Sequence, residues 1–249
     1  MKNSGKIALI IIGAIVLLGV TGFVTWGLTP LGPTSDALAA LESNENVTVK
    51  DAGNYIVFTP NSHIPITGFI LYPGGHVDHR SYAPIAQELA SHGYMVSIVR
   101  MPLSLAVFGI NRADEVISAY PDMRYWVIGG HSLGGSMAAA YARSHSDKVQ
   151  GVAFWASYPA TSDDLSITDL KGLSTYESND QVLDMDTFNA TVSHLPHGTI
   201  MQVIQGGNHA QFGNYGPQPG DGMATISAAD QQAQAADLTA RLLRAVEGE

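Results

Sequence analysis

The chain contains no cysteine among its 249 residues, which excludes disulfide bridges and thiolate chemistry. A metal site would have to use histidine and carboxylate ligands. Basic residues are also scarce, since 12 lysines and arginines stand against 22 acidic residues, for a formal net charge of −10. No basic cluster stands out after the N-terminal region, and binding of phosphate backbones requires a concentrated positive surface. The composition therefore argues against nucleic acid as a partner.

Charge is missing altogether from residues 7–28, which read IALIIIGAIVLLGVTGFVTWGL. A helix of this length rises roughly 33 Å, about the thickness of the hydrocarbon core of a bilayer. Trp26 lies near the far end, where interfacial aromatic residues occur, and Lys2 and Lys6 precede the apolar run. The positive-inside rule then leaves the rest of the chain outside the cytoplasm. We therefore predict a single-pass signal anchor in the cell membrane.

This interpretation divides the chain into four segments. They are a cytoplasmic N-terminus over 1–6, the anchor over 7–28, a linker or stalk over 29–46 and one globular domain over 47–249. The alternative is a cleaved signal peptide, because ALA at 37–39 resembles a cleavage site. That site lies about eleven residues beyond the apolar run, and the run is long for the core of a signal peptide.

From residue 47 onward, short apolar β-rich runs alternate with amphipathic stretches, separated by Gly, Pro, Asn or Asp. Such alternation predicts a mainly parallel eight-stranded sheet with helices on both faces, and the first strands follow one another as an antiparallel start would. We find no internal repeat and no second domain. The predicted strands are 47–50, 54–59, 67–72, 94–99, 124–129, 151–156, 172–176 and 200–204, and the predicted helices are 80–92, 111–120, 133–145, 180–194 and 225–246.

Residues 128–135 read IGGHSLGG, with Ser132 between paired glycines. The segment follows a strand and precedes a helix rich in small residues, so the serine would occupy a tight strand-to-helix turn. Glycines are needed there because a Cβ would collide with the neighbouring strand and helix. An ordinary turn is the alternative, but the strand–turn–helix context favours Ser132 as a nucleophile.

A serine hydroxyl needs a base, and the base needs a carboxylate that orients it. In a sheet of this kind the expected chain order is serine, acid, histidine. Of nine histidines, His209 directly follows the strand TIMQVIQGG, and we interpret the others as surface or loop residues. Asp180 follows the strand GLSTYES and is the predicted acid. The fallback acids are Glu177, Asp184 and Asp186.

Acyl transfer also requires donors for the developing oxyanion. One is the backbone N–H of Leu133, which follows the nucleophile. The other should come from the loop PGGHV after the strand GFILY, where either Gly75 or His76 could donate. The nearby HVDH at 76–79 also resembles metal ligands, but its pattern is incomplete. We therefore predict no metal, with Asp78 capping the next helix instead.

Together, YPGGHVDHRSYAPIAQELASHGYMVSIVR, GGHSLGG, YESNDQVL and GGNHAQFGNYGPQPGDG resemble the α/β-hydrolase superfamily. Within it, the chain is most similar to small bacterial membrane-anchored α/β-hydrolases that are distantly related to dienelactone hydrolases. The resemblance covers nearly everything from residue 47 and implies the α/β-hydrolase fold. Dienelactone hydrolases carry cysteine at the nucleophile position, whereas this chain has Ser132, so the resemblance implies serine esterase chemistry.

The connection from Ser157 to Lys171 is only about fifteen residues, too short for a separate cap domain. The site should then be open, and apolar residues from 102–109, with Trp155 and Tyr158, should partly face it. We expect a small-molecule ester substrate, no cofactor and membrane contact through residues 7–28. The rival hypotheses are an inactive tethered binding protein on the same fold, and a peptidase or acyltransferase with the same triad. The sequence does not indicate an oligomeric state.

Overall fold

The structure, a computed structural model, describes residues 2–248. The outermost residues of the predicted N-terminal and globular segments, Met1 and Glu249, lie outside the described residues. Helix α1 spans Lys2–Gly27 and projects from the rest of the protein. Within residues 2–248, Gly5–Gly27 is the one stretch that is long and apolar enough to cross a membrane.

Eight strands form one sheet in the order β1-β2-β4-β3-β5-β6-β7-β8. The first two pairings, β1 with β2 and β2 with β4, are antiparallel, and all the others are parallel. All eight predicted strands and the antiparallel start are confirmed. The strands are β1 (Val47–Asp51), β2 (Tyr55–Pro60), β3 (Thr67–Tyr72), β4 (Met95–Val99), β5 (Tyr125–His131), β6 (Gly151–Trp155), β7 (Lys171–Glu177) and β8 (Ile200–Ile204).

Helices cover both faces of the sheet, as predicted. Helices α3 and α7 pack on one face, where the buried residues include Leu89 and Leu243. Helices α4 and α5 pack on the other face and bury Val116 and Ala138. The helices after α1 are α2 (Ser35–Ala39), α3 (Ala83–Ser91), α4 (Ala113–Ala119), α5 (Leu133–Ser144), α6 (Met185–Thr191) and α7 (Ala228–Glu247).

The connection between β6 and β7, residues 156–170, is fully described and contains neither helix nor strand. The fold therefore carries no cap at the position where large lids are inserted. Loops, and no additional domain, follow the carboxyl ends of β5, β6, β7 and β8.

The helix predicted over 180–194 begins later, at Met185. The Asp180 carboxylate accepts the backbone N–H groups of Val182 and Leu183, which holds a turn at this point. Asp184 then caps α6 by accepting the N–H groups of Asp186 and Thr187. Aspartate is common both in turns and at helix N-termini, so the apolar pattern of 180–194 does not show at which residue the helix begins.

The stretch 29–46, predicted to be a linker or stalk, lies against the domain. Thr34 caps α2, and Ala37 in that helix is fully buried. The Thr34 N–H donates to the carbonyl of Asn214 at 2.8 Å, and Leu31 forms an isolated parallel bridge with Val77. These contacts hold the end of α1 near the loops at the carboxyl ends of the parallel strands.

Candidate active site

Ser132 lies at the corner between β5 and α5, with φ 52° and ψ −125°. This backbone conformation is strained for a residue with a side chain, at a cost of about 1–3 kcal/mol, and persists only where the surroundings enforce it. A Cβ at Gly134 would collide with the carbonyl oxygen of Tyr72, so close packing requires the glycine. The Ser132 N–H donates to the carbonyl of Trp155 at 2.9 Å, and Ser157 Oγ donates to the Ser132 carbonyl at 2.6 Å.

His209 and Asp180 form a buried hydrogen-bonded pair. His209 Nδ1 lies 2.8 Å from Asp180 Oδ2, and each side chain is only 2% exposed. Burial alone would raise the pKa of Asp180, but the hydrogen bond and charge of His209 and two backbone N–H donors together lower it below its ordinary value. Asp180 is therefore an ionised acceptor. Nδ1 of His209 carries a proton and its other ring nitrogen, Nε2, is free to accept one.

The loops that carry this pair are joined by a second carboxylate, that of Asp221. Asp221 Oδ2 accepts the N–H of Ala210 at 2.9 Å, and its Oδ1 accepts the N–H of Gln181 at 3.4 Å. Each donor belongs to the residue directly after His209 or Asp180. Asp221 therefore fixes the distance between the loops.

Ser132 and His209 line one cavity of about 270 Å³. Among the described residues, the Ser132 hydroxyl has no hydrogen-bond partner, and catalytic hydrogen bonds often tighten only when substrate is bound. Tyr158 lines this cavity, whereas Trp155 does not, because it is buried and stacks on Phe212 in the core. The other lining residues are Leu133, Ser136, Ala156, Ser157, Val182, Leu183 and Asp184.

The loop after β3 lies beside Leu133, the residue that follows Ser132. A Cβ placed on Gly75 would be 3.1 Å from Leu133 Cδ2, so the Gly75 backbone lies against the Leu133 side chain. The N–H of His76 is already used, because it donates to the Ser104 carbonyl at 2.8 Å. No partner within residues 2–248 accepts the N–H of Gly75 or of Leu133. Of the two alternatives that the sequence left open, Gly75 thus has the free donor and His76 does not.

His131, directly before Ser132, is buried and is not the surface or loop residue that the sequence predicts. The Gly74 N–H donates to Tyr82 Oη at 2.9 Å, and the Tyr82 hydroxyl forms a hydrogen bond with His131 Nδ1 at 2.7 Å. Burial, followed by the charge of His209, holds the pKa of His131 well below its ordinary value. A neutral imidazole therefore packs 4.5 Å from the His209 ring, and this network ties the Gly74 loop to the corner. No local sequence signal distinguishes this histidine.

Glu177, one of the fallback acids, is 2% exposed at the end of β7. Neither of its carboxyl oxygens has a hydrogen-bond partner within the described part of the chain. Burial, together with the charges of Asp180 and Asp221, raises its pKa well above the ordinary value. Glu177 therefore forms no hydrogen bond with His209, and the raised pKa disfavours its charged form.

Replacement of Glu177 by glutamine should stabilise the protein at neutral pH. The folded state binds the Glu177 proton more tightly than the unfolded state, so wild-type stability falls as pH rises from about 4.5 towards the raised pKa. The isosteric amide removes this dependence. We expect the Tm of E177Q to exceed that of the wild type at pH 7, by about 2–4 °C for each kcal/mol gained. Equal Tm differences at pH 4.5 and pH 7 in thermal melts would contradict this assignment.

The residues HVDH at 76–79 make protein contacts. Asp78 accepts the N–H of Arg80 at 2.9 Å, which is the predicted cap, and its carboxylate also pairs with the side chains of His79 and Arg80. Within residues 2–248, no group of three or more potential metal ligands comes together.

Comparison with known proteins agrees with this architecture. The family model described as "Alpha/beta hydrolase family" matches residues 68–233. No curated protein matches the sequence significantly. Similar solved structures include the esterase domain of a Rhodothermus marinus protein, at 14% identity and a TM-score of 0.58, covering 80% of this chain and 97% of that one.

A dienelactone hydrolase from Anabaena variabilis is 16% identical with a TM-score of 0.58, covering 81% of this chain and 99% of that chain. Est1E from Butyrivibrio proteoclasticus is 10% identical with a TM-score of 0.58, covering 80% of this chain and 100% of that chain. At these identities the structures show a shared fold, and the family model carries the assignment. The chain therefore belongs to the alpha/beta hydrolase family.

Proposed function

We propose that this hydrolase is a serine esterase that works through a covalent acyl-enzyme. The observation that supports this most directly is the single cavity lined by Ser132 and His209, with Asp180 bound to the far nitrogen of the histidine. A serine, a histidine in the accepting tautomer and a buried ionised carboxylate are the three parts that activate a hydroxyl nucleophile. They occur in the chain order of this fold.

In the first half-reaction, Ser132 Oγ attacks the carbonyl carbon of the ester and His209 Nε2 takes the hydroxyl proton. Asp180 holds the histidine and stabilises the imidazolium that forms. The negative oxygen of the tetrahedral intermediate is bound by the N–H groups of Leu133 and Gly75, each of which contributes about 3 kcal/mol in comparable sites. His209 then donates its proton to the departing alcohol. The products are the free alcohol and an acyl group on Ser132.

In the second half-reaction, water replaces the alcohol. His209 Nε2 removes a proton from the water, which attacks the acyl carbonyl, and the same two N–H groups bind the oxyanion again. Collapse of the intermediate releases the carboxylic acid and returns the proton to Ser132. The balance is one ester and one water consumed, with one acid and one alcohol formed. No redox or metal step is required.

The substrate prediction rests on the missing cap. Because the cavity is walled by loops, we expect measurable turnover of short-chain p-nitrophenyl esters, without a jump in rate at a lipid–water interface and without loss of activity in EDTA. A screen of esters, lactones and amides on the purified protein is the test. A strong preference for emulsified long-chain lipids, with a rate jump at the interface, would contradict the open site. Turnover of amides or acyl transfer to an added acceptor would favour the rival chemistries.

We further propose that α1 is an uncleaved anchor and that the catalytic domain lies outside the cytoplasm. The apolar stretch and the preceding lysines support this orientation. Protease added to spheroplasts should digest the domain while cytoplasmic marker proteins stay intact. Complete protection until lysis would overturn the orientation. A soluble form beginning near Ala40 would show instead that the segment is cleaved.

A further inference from the structure

The loop after β4 exposes apolar side chains beside α1. Val107 and Phe108 are 46% and 52% exposed, and no charged residue occurs between Arg100 and Arg112. The backbone is strained at the start of this loop, where Leu103 and Ser104 have φ angles of 50° and 55°. Such strain persists only where surrounding contacts enforce it. The loop is therefore held in a fixed shape with an apolar tip in solvent.

The tip of this loop contacts α1 next to Phe23, and the position of Phe23 along the helix indicates how deep the tip lies relative to the predicted membrane boundary. The Phe108 ring lies 6.2 Å from the Phe23 ring in an edge-on arrangement. Phe23 precedes Trp26 by three residues, which is about 4.5 Å along the helix axis. Since Trp26 marks the predicted interface, a spanning α1 places Phe108 on the membrane side of that boundary.

The end of α1 is also fixed to the catalytic domain. The Trp26 ring stacks on the His76 ring at 4.0 Å with an interplanar angle of 7°, and His76 Nε2 donates to the Trp26 carbonyl at 2.8 Å. The Leu31 N–H donates to the His76 carbonyl at 2.9 Å. Gly27 lies so close to Leu103 that a Cβ there would be 2.8 Å from the Leu103 Cβ. The helix end, the apolar loop and the His76 loop therefore form one unit, whose orientation follows that of the helix.

We propose that residues 103–108 insert into the outer lipid interface beside α1, so that the catalytic domain lies on the bilayer. The partner is the lipid surface itself, because the exposed tip continues the apolar surface of the helix. The same loop brings Leu105 close to Gly75, with 3.7 Å between its Cδ2 and a Cβ placed there. The membrane-facing loop therefore also contacts the loop that carries the proposed oxyanion donor. This inference rests on the membrane anchor of the proposed function, but not on its chemistry.

The absence of cysteine allows a direct test with single-cysteine variants of the full chain. Phe108→Cys is labelled with an environment-sensitive nitrobenzoxadiazole probe and reconstituted into phosphatidylcholine vesicles. Phe23→Cys reports the anchor. Ile64→Cys is the matched control, because Ile64 is an apolar residue that is 89% exposed and precedes the amino end of β3, whereas the loop 103–108 follows the carboxyl end of β4. Val107→Cys repeats the measurement at a second position of the tip.

Spin-labelled lipids should quench the fluorescence of the probe at 108 and at 23 to a similar extent, and should quench the probe at 64 only slightly. Iodide in solution should quench only the probe at 64. If 108 behaves like 64 while 23 is quenched by lipid, the inference is wrong and the anchor stands. If 23 is also unquenched by lipid, the anchor and the inference both fail. Shielding of 108 from iodide without quenching by lipid would mean that a second copy of the chain covers the loop, which also overturns the inference. Labelling of the same vesicles with a fluorophosphonate reports the proposed chemistry separately.

Discussion

Replacement of Ser132 by alanine should lower kcat by about 10⁶-fold, the loss typical of removing the nucleophile from a catalytic triad. Alanine keeps the Cβ and loses only the hydroxyl, so the strained corner and its hydrogen bonds to Trp155 and Ser157 can remain. The variant should therefore fold normally. Its activity on p-nitrophenyl esters, set beside its circular dichroism spectrum and Tm, separates loss of chemistry from loss of structure.

Ser136→Ala is the matched control for this change. Ser136 lines the same cavity, and its hydroxyl donates to the Tyr158 carbonyl at 2.7 Å. Because that hydrogen bond is not part of the proposed chemistry, we expect a change in kcat of less than about tenfold, equivalent to about 1.4 kcal/mol in the barrier. Equal losses in Ser132→Ala and Ser136→Ala would mean that the effect comes from disturbing the cavity wall.

Asp180→Asn should lower kcat by about 10⁴-fold while leaving the geometry intact. Oδ1 of Asp180 accepts two backbone N–H groups, from Val182 and Leu183, so the amide oxygen of asparagine must take that place. The amide NH₂ then faces Nδ1 of His209 and donates to it. The histidine is forced to carry its proton on Nε2, where it can no longer accept the proton of Ser132. Steady-state kinetics with a short-chain ester measure the loss.

Two nearby carboxylates provide controls for Asp180→Asn. Asp184 caps α6, and asparagine is an equally good cap, so Asp184→Asn should change kcat little. Glu177→Gln tests whether the buried neighbour supplies catalytic charge, and it should also be mild. If Asp184→Asn or Glu177→Gln proves as damaging as Asp180→Asn, the proposed acid is wrong.

Much of the fold could be predicted because its strongest signals are local. Buried parallel strands are continuous apolar runs, and each is bounded by glycine or by polar turn residues. The corner at Ser132 could be located because close packing demands glycine at defined positions around it. Asp180 and His209 could be nominated because each directly follows a strand whose carboxyl end must lie at one edge of a parallel sheet.

The remaining features depend on contacts between distant parts of the chain. His131 and Tyr82 are 49 residues apart, and nothing beside either residue indicates their hydrogen bond. The stacking of Trp26 on His76 could not be predicted, because the anchor and the domain were interpreted as separate segments. The predicted helix start at 180 is wrong because Asp180 stabilises a turn, and α6 begins only at Met185. Tertiary hydrogen bonds decide such choices, and periodicity does not encode them.

The central claim is that Ser132 is an activated nucleophile, and covalent labelling tests it most directly. The purified protein is treated with a fluorophosphonate probe, and the modified peptide is identified by mass spectrometry. The account predicts one adduct on Ser132 in the wild type, no adduct in Ser132→Ala and much slower labelling in Asp180→Asn. An unlabelled wild-type protein, or an adduct on a different serine, would contradict it and favour an inactive binding protein or a different site.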